Sequence, residues 1–104
     1  MPQPRAGEVW IVDLGLAAKV RPCLLLTDYP SDDDLALITI VAHTNTLRGA
    51  QWEHSCPKPF LREGVYHLQQ IQSVPVVKLM RKLGELAPTE LLAIRQKLKS
   101  RLQL

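Results

Sequence analysis

The sequence predicts a mainly β domain closed by one C-terminal helix, arranged as a small, partly open barrel. Three observations point there. Short runs of β-branched and aromatic residues recur along the first two thirds of the chain, separated by turn-forming residues. One unbroken apolar block, Cys23-Leu24-Leu25-Leu26, has the look of a strand buried on both faces. Only after Pro88 does an apolar stripe recur at helical spacing, at Leu91, Ile94, Leu98 and Leu102.

The first strand is expected over 7–13, Gly-Glu-Val-Trp-Ile-Val-Asp, where Val and Ile favour extended backbone and an Asp-Leu-Gly turn follows. A short loop spans 14–20. The second strand covers 21–28 and stops at Tyr29-Pro30, with Asp32, Asp33 and Asp34 beyond it. The third runs over 35–43 and holds Ile38, Ile40 and Val41. A polar loop containing Arg48-Gly49 leads to a short fourth strand at 52–55. Two prolines make 56–63 a loop. Residues 64–72 read as a strand with a bulge, and 83–86 as a short last strand. Pro88 suits the first helical turn, Glu90 the positive end of the helix dipole, and Lys97, Lys99 and Arg101 its negative end.

At 104 residues the chain has room for one hydrophobic core and too little for two, so a single domain over 1–104 is expected. A hydrophobic fraction of 46% against 22% charged residues argues against disorder. No apolar run approaches the roughly 18 residues of a membrane span. The opening Met1-Pro2-Gln3-Pro4-Arg5 is followed by no apolar stretch, so no secretory signal is expected and a cytoplasmic location is the default. Cys23 and Cys56 have neither partners nor neighbouring His residues at zinc spacing, so neither a disulfide framework nor a metal site is expected. Cys23 reads as a small core residue. The net charge of +3 and pI near 9.1 make an anionic partner plausible.

Three segments in order resemble the MazF/PemK family of toxin endoribonucleases. Residues 7–14, Gly-Glu-Val-Trp-Ile-Val-Asp-Leu, are similar to its opening strand. Residues 21–26, Arg-Pro-Cys-Leu-Leu-Leu, are similar to its Arg-Pro strand. Residues 40–44, Ile-Val-Ala-His-Thr, are similar to its strand ending in threonine. A weaker fourth segment, 64–70, resembles its strand that ends in an Asp-Gln or Glu-Gln pair. The resemblance implies an SH3-like, CcdB/PemK-type barrel and a homodimer. It also implies a cognate antitoxin, expected to be acidic, and metal-independent, sequence-selective cleavage of single-stranded RNA without a cofactor. In this chain the segment before Arg21 is short, and Gln69 stands where some members carry an acid.

Cleavage by the 2′-OH needs a base for its proton, an acid for the leaving 5′-oxygen and fixed donors around the charged phosphorane. Arg21 is the candidate phosphate clamp, because its planar fork donates two parallel hydrogen bonds and stays charged. Thr44 offers a hydroxyl donor. His67 is the candidate acid or base, while His43 is expected to face the other way by strand alternation. Gln69 and Gln70 are candidates for base or phosphate contacts, with Gln69 expected on the face of His67. Lys19 and Arg48, in the loops flanking Arg21 and Thr44, are candidate RNA contacts, and Trp52 is a candidate stacking surface for an unpaired base. The competing reading is a non-catalytic module of the same fold that binds nucleic acid or a protein target such as gyrase. The absence of tryptophan from the C-terminal Ser100-Arg101-Leu102-Gln103-Leu104 argues against a gyrase poison of the CcdB kind.

Overall fold

The computed structural model describes residues 3–15 and 19–104. Strand β1 (Glu8–Asp13) lies between β2 (Val20–Leu25) and β7 (Leu79–Glu85), antiparallel to both. Strand β2 pairs in turn with β3 (Leu37–Thr44), in a register that sets Cys23 against Ala42 and Leu25 against Ile40. The eight-residue β3 is the hub. Its second edge is shared by two strands: β6 (Gln72–Pro75) takes Leu37 to Ile40, and β5 (Val65–His67) takes His43 and Thr44. The two-residue β4 (Glu53–His54) adds to the outside of β5. A 3₁₀ turn over Val76–Lys78 connects β6 to β7, and helix α1 (Pro88–Leu102) follows.

Both faces of the central strands are buried, which is why β2 and β3 are apolar without alternation. On one face Val9, Leu24, Val41 and Tyr66 meet Leu91, Ile94 and Leu98 of α1. On the other, Val12, Cys23, Leu25, Ile38, Ile40, Ala42 and Val74 form a second cluster. Each Leu or Ile buried this way contributes about 1.5–3 kcal/mol. The helix begins at Pro88, where the missing N–H costs no bond, and Glu90 turns back to accept the Ala87 N–H at 2.7 Å. It ends at Gln103, which adopts the left-handed conformation.

The mainly β architecture with one C-terminal helix is as expected, with three differences. The strand expected over 64–72 is only the three-residue β5 followed by a turn, and β6 begins at Gln72, because the two occupy successive stretches of one β3 edge and the chain must loop out between them. The Gln70 N–H donates to the His67 carbonyl at 3.1 Å, closing a turn that holds Gln69 and ends the alternation. The last strand begins at Leu79 rather than Leu83. Its exposed Met80, Arg81 and Lys82 hide it from an apolar pattern, as suits a sheet edge. Leu102 is 47% exposed, so the helical stripe ends at Leu98.

Candidate functional site

The site follows from the β2–β3 register. Two residues beyond the Cys23–Ala42 pair that ends the ladder, Arg21 and Thr44 both lie on the face of the second core cluster. There the core ends and a cleft of about 450 Å³ opens. Strand β5 brings the third member. Val65 pairs with Thr44, so Val65 and His67 lie on Thr44's face and Tyr66 on the other.

Leu14, Arg21, Ala42, Thr44, Thr46, Arg48, His67, Gln70 and Gln72 line the cleft. Two guanidinium groups and no carboxylate are among these residues, which makes the cleft attractive to an anion. The Thr44 hydroxyl oxygen accepts the Thr46 N–H at 3.1 Å, leaving its own O–H proton to donate. His67 is half-buried, and its Nδ1 is buried without a hydrogen-bond partner among the described residues. That side of the ring leaves the tautomer unset. Among the described residues no three His, Cys, Asp or Glu side chains are grouped to hold a metal ion.

Five of the eight site residues expected from sequence therefore meet in one cleft: Arg21, Thr44, His67, Arg48 and Gln70. Lys19 lines an adjoining groove that shares Arg21, Thr44 and Thr46 with the cleft and adds Arg62 and Arg81. Gln69 is exposed on the turn between β5 and β6, outside the cleft, because the turn breaks the two-residue period that would have aligned it with His67. Trp52 is partly buried against the core under the helix, with the Arg101 guanidinium 5.7 Å from its ring centroid. Its ring is thereby engaged away from the cleft.

His43, Cys23 and Cys56 are set in the packing of the sheet. His43 points to the opposite face, packs edge-on against Tyr66 at 5.0 Å and is pushed down in pKa by burial. Burial raises the Cys23 thiol to about 12, against the opposing charge of Arg21, so it is no nucleophile at neutral pH. The Cys56 thiol is raised by burial and by its contact with Glu90 at 3.4 Å.

Sequence reasoning passed over Thr46, Gln72 and Glu53. Thr46 repeats the Thr-x-Thr spacing begun at Thr44, a faint signal. Gln72 was hidden inside the strand expected over 64–72. Glu53 pairs with His67 across β4 and β5, a register the sequence does not reveal.

The model of the PemK-like, MazF-like toxins of type II toxin–antitoxin systems matches residues 5–102, nearly the whole chain. The chain belongs to that toxin family. Among solved structures it is similar to a MazE–MazF complex from Deinococcus radiodurans, at 22% identity and a TM-score of 0.82, covering 100% of this chain and 99% of that one. It is also similar to an endoribonuclease from a mycobacterial species, at 23% identity and a TM-score of 0.78, covering 100% and 95%. A mycobacterial endoribonuclease in complex with its cognate antitoxin matches at 25% identity and a TM-score of 0.79, covering 97% and 96%. No curated protein matches the chain. Likeness at this level establishes the MazF-like fold, and membership of the toxin family rests on the family match. No described helix is long and apolar enough to cross a membrane.

Proposed function

We propose that this toxin is a sequence-selective endoribonuclease that cleaves single-stranded RNA by attack of the 2′-OH, without a metal ion. The observation that carries the reading is the meeting of Arg21, Thr44 and His67 in a cleft with no carboxylate among its described lining residues. Arg21 clamps the nonbridging oxygens of the scissile phosphate through its fork, and Thr44 donates its hydroxyl to the same group. Charge on the phosphorane is thus met by donors fixed on two adjacent strands. His67 moves a proton at the reacting oxygens, as base toward the 2′-OH or acid toward the leaving 5′-oxygen. The products are a 2′,3′-cyclic phosphate and a 5′-hydroxyl. Arg48, Gln70 and Gln72 line the same cleft and contact flanking nucleotides.

The family and the antitoxin-bound neighbour support an antitoxin partner. A cationic cleft that admits RNA also admits an acidic peptide that orders as it binds. We assign the chain a homodimeric, cytoplasmic state on the same family grounds. Mapping of cleavage ends on a long RNA in EDTA tests the activity. Cyclic-phosphate ends at a recurring motif, lost in Arg21→Ala, are expected. Cleavage undiminished in that variant overturns the reading.

A further inference from the structure

Glu53 sits beside the cleft with its carboxylate turned to a loop of the chain itself. Pairing with His67 sets it on the face of the sheet that carries the cleft. Its Oε2 accepts the Arg48 N–H at 2.9 Å and its Oε1 the Ala50 N–H at 3.1 Å, while the Glu53 N–H returns to the Ala50 carbonyl at 3.3 Å. Gly49 lies between the two donors with φ of +71°, a left-handed turn that aims both N–H groups at one carboxylate. The Arg48 N–H foremost, with those of Ala50 and Gly49 and the charge of His67, holds the carboxyl below its ordinary value against the opposing effect of burial. Arg48, whose backbone is clipped in this way, lines the cleft with Arg21 and His67.

We infer that Glu53 is a positioning residue for RNA binding: its carboxylate fixes the backbone of Arg48 so that the guanidinium meets a phosphate of the bound strand. This rests on the endoribonuclease reading. Simple electrostatics predicts the opposite effect of removing the charge, since a carboxylate near a phosphate-binding cleft repels RNA. In Glu53→Gln one acceptor becomes an NH₂ facing an N–H donor, so the clip opens while a negative charge disappears. The two accounts therefore differ in sign.

The test measures binding of a single-stranded RNA made uncleavable by a 2′-deoxy substitution at the mapped cleavage site, alongside kcat and KM on the cleavable strand. Glu53→Gln is expected to weaken binding about tenfold, the loss of one charge-assisted contact, with a larger effect on KM than on kcat. The slope of log affinity against log salt should fall by about one phosphate contact. In an Arg48→Ala background the same substitution should have no further effect. Gly49→Val, which strains the loop but keeps the carboxylate, should reproduce the loss and guards against a trivial folding defect at position 53. Unchanged or tighter binding in either variant, or an equal loss without Arg48, overturns the inference. If the wild-type toxin neither binds nor cleaves RNA, the endoribonuclease reading fails and takes this one with it. If it does both and the variants match it, only the positioning role of Glu53 fails.

Discussion

Arg21 and Thr44 line one cleft, each two residues beyond the Cys23–Ala42 pair that ends the ladder between β2 and β3. Their separation in sequence is bridged by the most buried part of the sheet, where Leu24, Leu25, Ile40 and Val41 are fully enclosed. Packing of that kind leaves little freedom in the strand backbone. A guanidinium and a hydroxyl are thus carried on rigid supports at the mouth of a cleft. Rate enhancement by donors of this type depends on their being in place before charge develops.

Arg21→Ala should lower kcat for RNA cleavage by about 10²–10³, the usual effect of losing one preorganised donor to a developing oxyanion. Arg21 is exposed, so the thermal midpoint should stay close to wild type. Arg21→Lys keeps the charge and loses the fork. It should recover RNA affinity more fully than kcat, because a point charge attracts phosphate without matching two oxygens. Single-turnover cleavage with parallel binding measurements separates the two effects. A lysine variant with wild-type kcat would exclude bidentate contact as the source of the rate.

His67 is the proton-transfer group of the proposed reaction, and its substitution should alter how rate depends on pH. His67→Gln keeps a polar side chain of similar reach and cannot act as an acid or base near neutrality. It should reduce kcat by about 10²–10⁴. The shape of the pH–rate profile should change, while KM changes little. A wild-type-shaped pH profile in His67→Gln would move the proton transfer to another group or to the substrate.

Glu8 should make folding sensitive to acid. The residue is only 5% exposed. Burial pushes its carboxyl upward, but hydrogen bonds from the Trp10 indole at 3.0 Å and the Arg5 N–H at 3.1 Å, with Lys82 at 3.2 Å, outweigh it and leave the pKa lowered. A depressed pKa means that the unfolded chain takes up protons first as pH falls. The stabilisation is therefore complete above the ordinary carboxylate value of 4.5 and fades as pH drops through the lower folded value. Denaturant melts from pH 7 to pH 3 should show a decline that is shallower in Glu8→Gln. At pH 7, Glu8→Ala should cost about 1–3 kcal/mol by leaving the indole and amide donors without an acceptor.

Much of this was legible in the sequence for a physical reason. Strands β1 to β3 are buried on one or both faces, so composition alone marks them, and α1 shows its stripe at Leu91, Ile94 and Leu98. Arg21 and Thr44 were legible because each stands at the end of such a strand. The opposite holds for β7, whose edge position puts Met80, Arg81 and Lys82 in solvent. The turn that keeps Gln69 out of the cleft depends on two strands sharing one edge of β3, a long-range fact with no local signature. Glu53 was missed on the same ground, since its nearness to His67 arises only when β4 adds to β5.

Gly64 links fold and site, and its substitution should damage both. It precedes β5 where that strand meets the end of β3. A Cβ added there would run into the Thr44 carbonyl oxygen and lie 2.8 Å from the His43 ring. The oxygen belongs to the backbone, so no rotamer change relieves the overlap, and the two strands must part. Overpacking of this kind costs about 1–3 kcal/mol. Separation would fall at Thr44 and Val65, the pair that sets His67 on the cleft face. Gly64→Ala should therefore lower the thermal midpoint and also reduce kcat at temperatures where the variant remains fully folded. Gly15→Ala is the useful control, because its Cβ meets nothing within 4 Å although its φ of +88° strains any side chain. A Gly64→Ala protein that is destabilised yet cleaves at the wild-type rate would show that the β3–β5 junction does not set the active geometry.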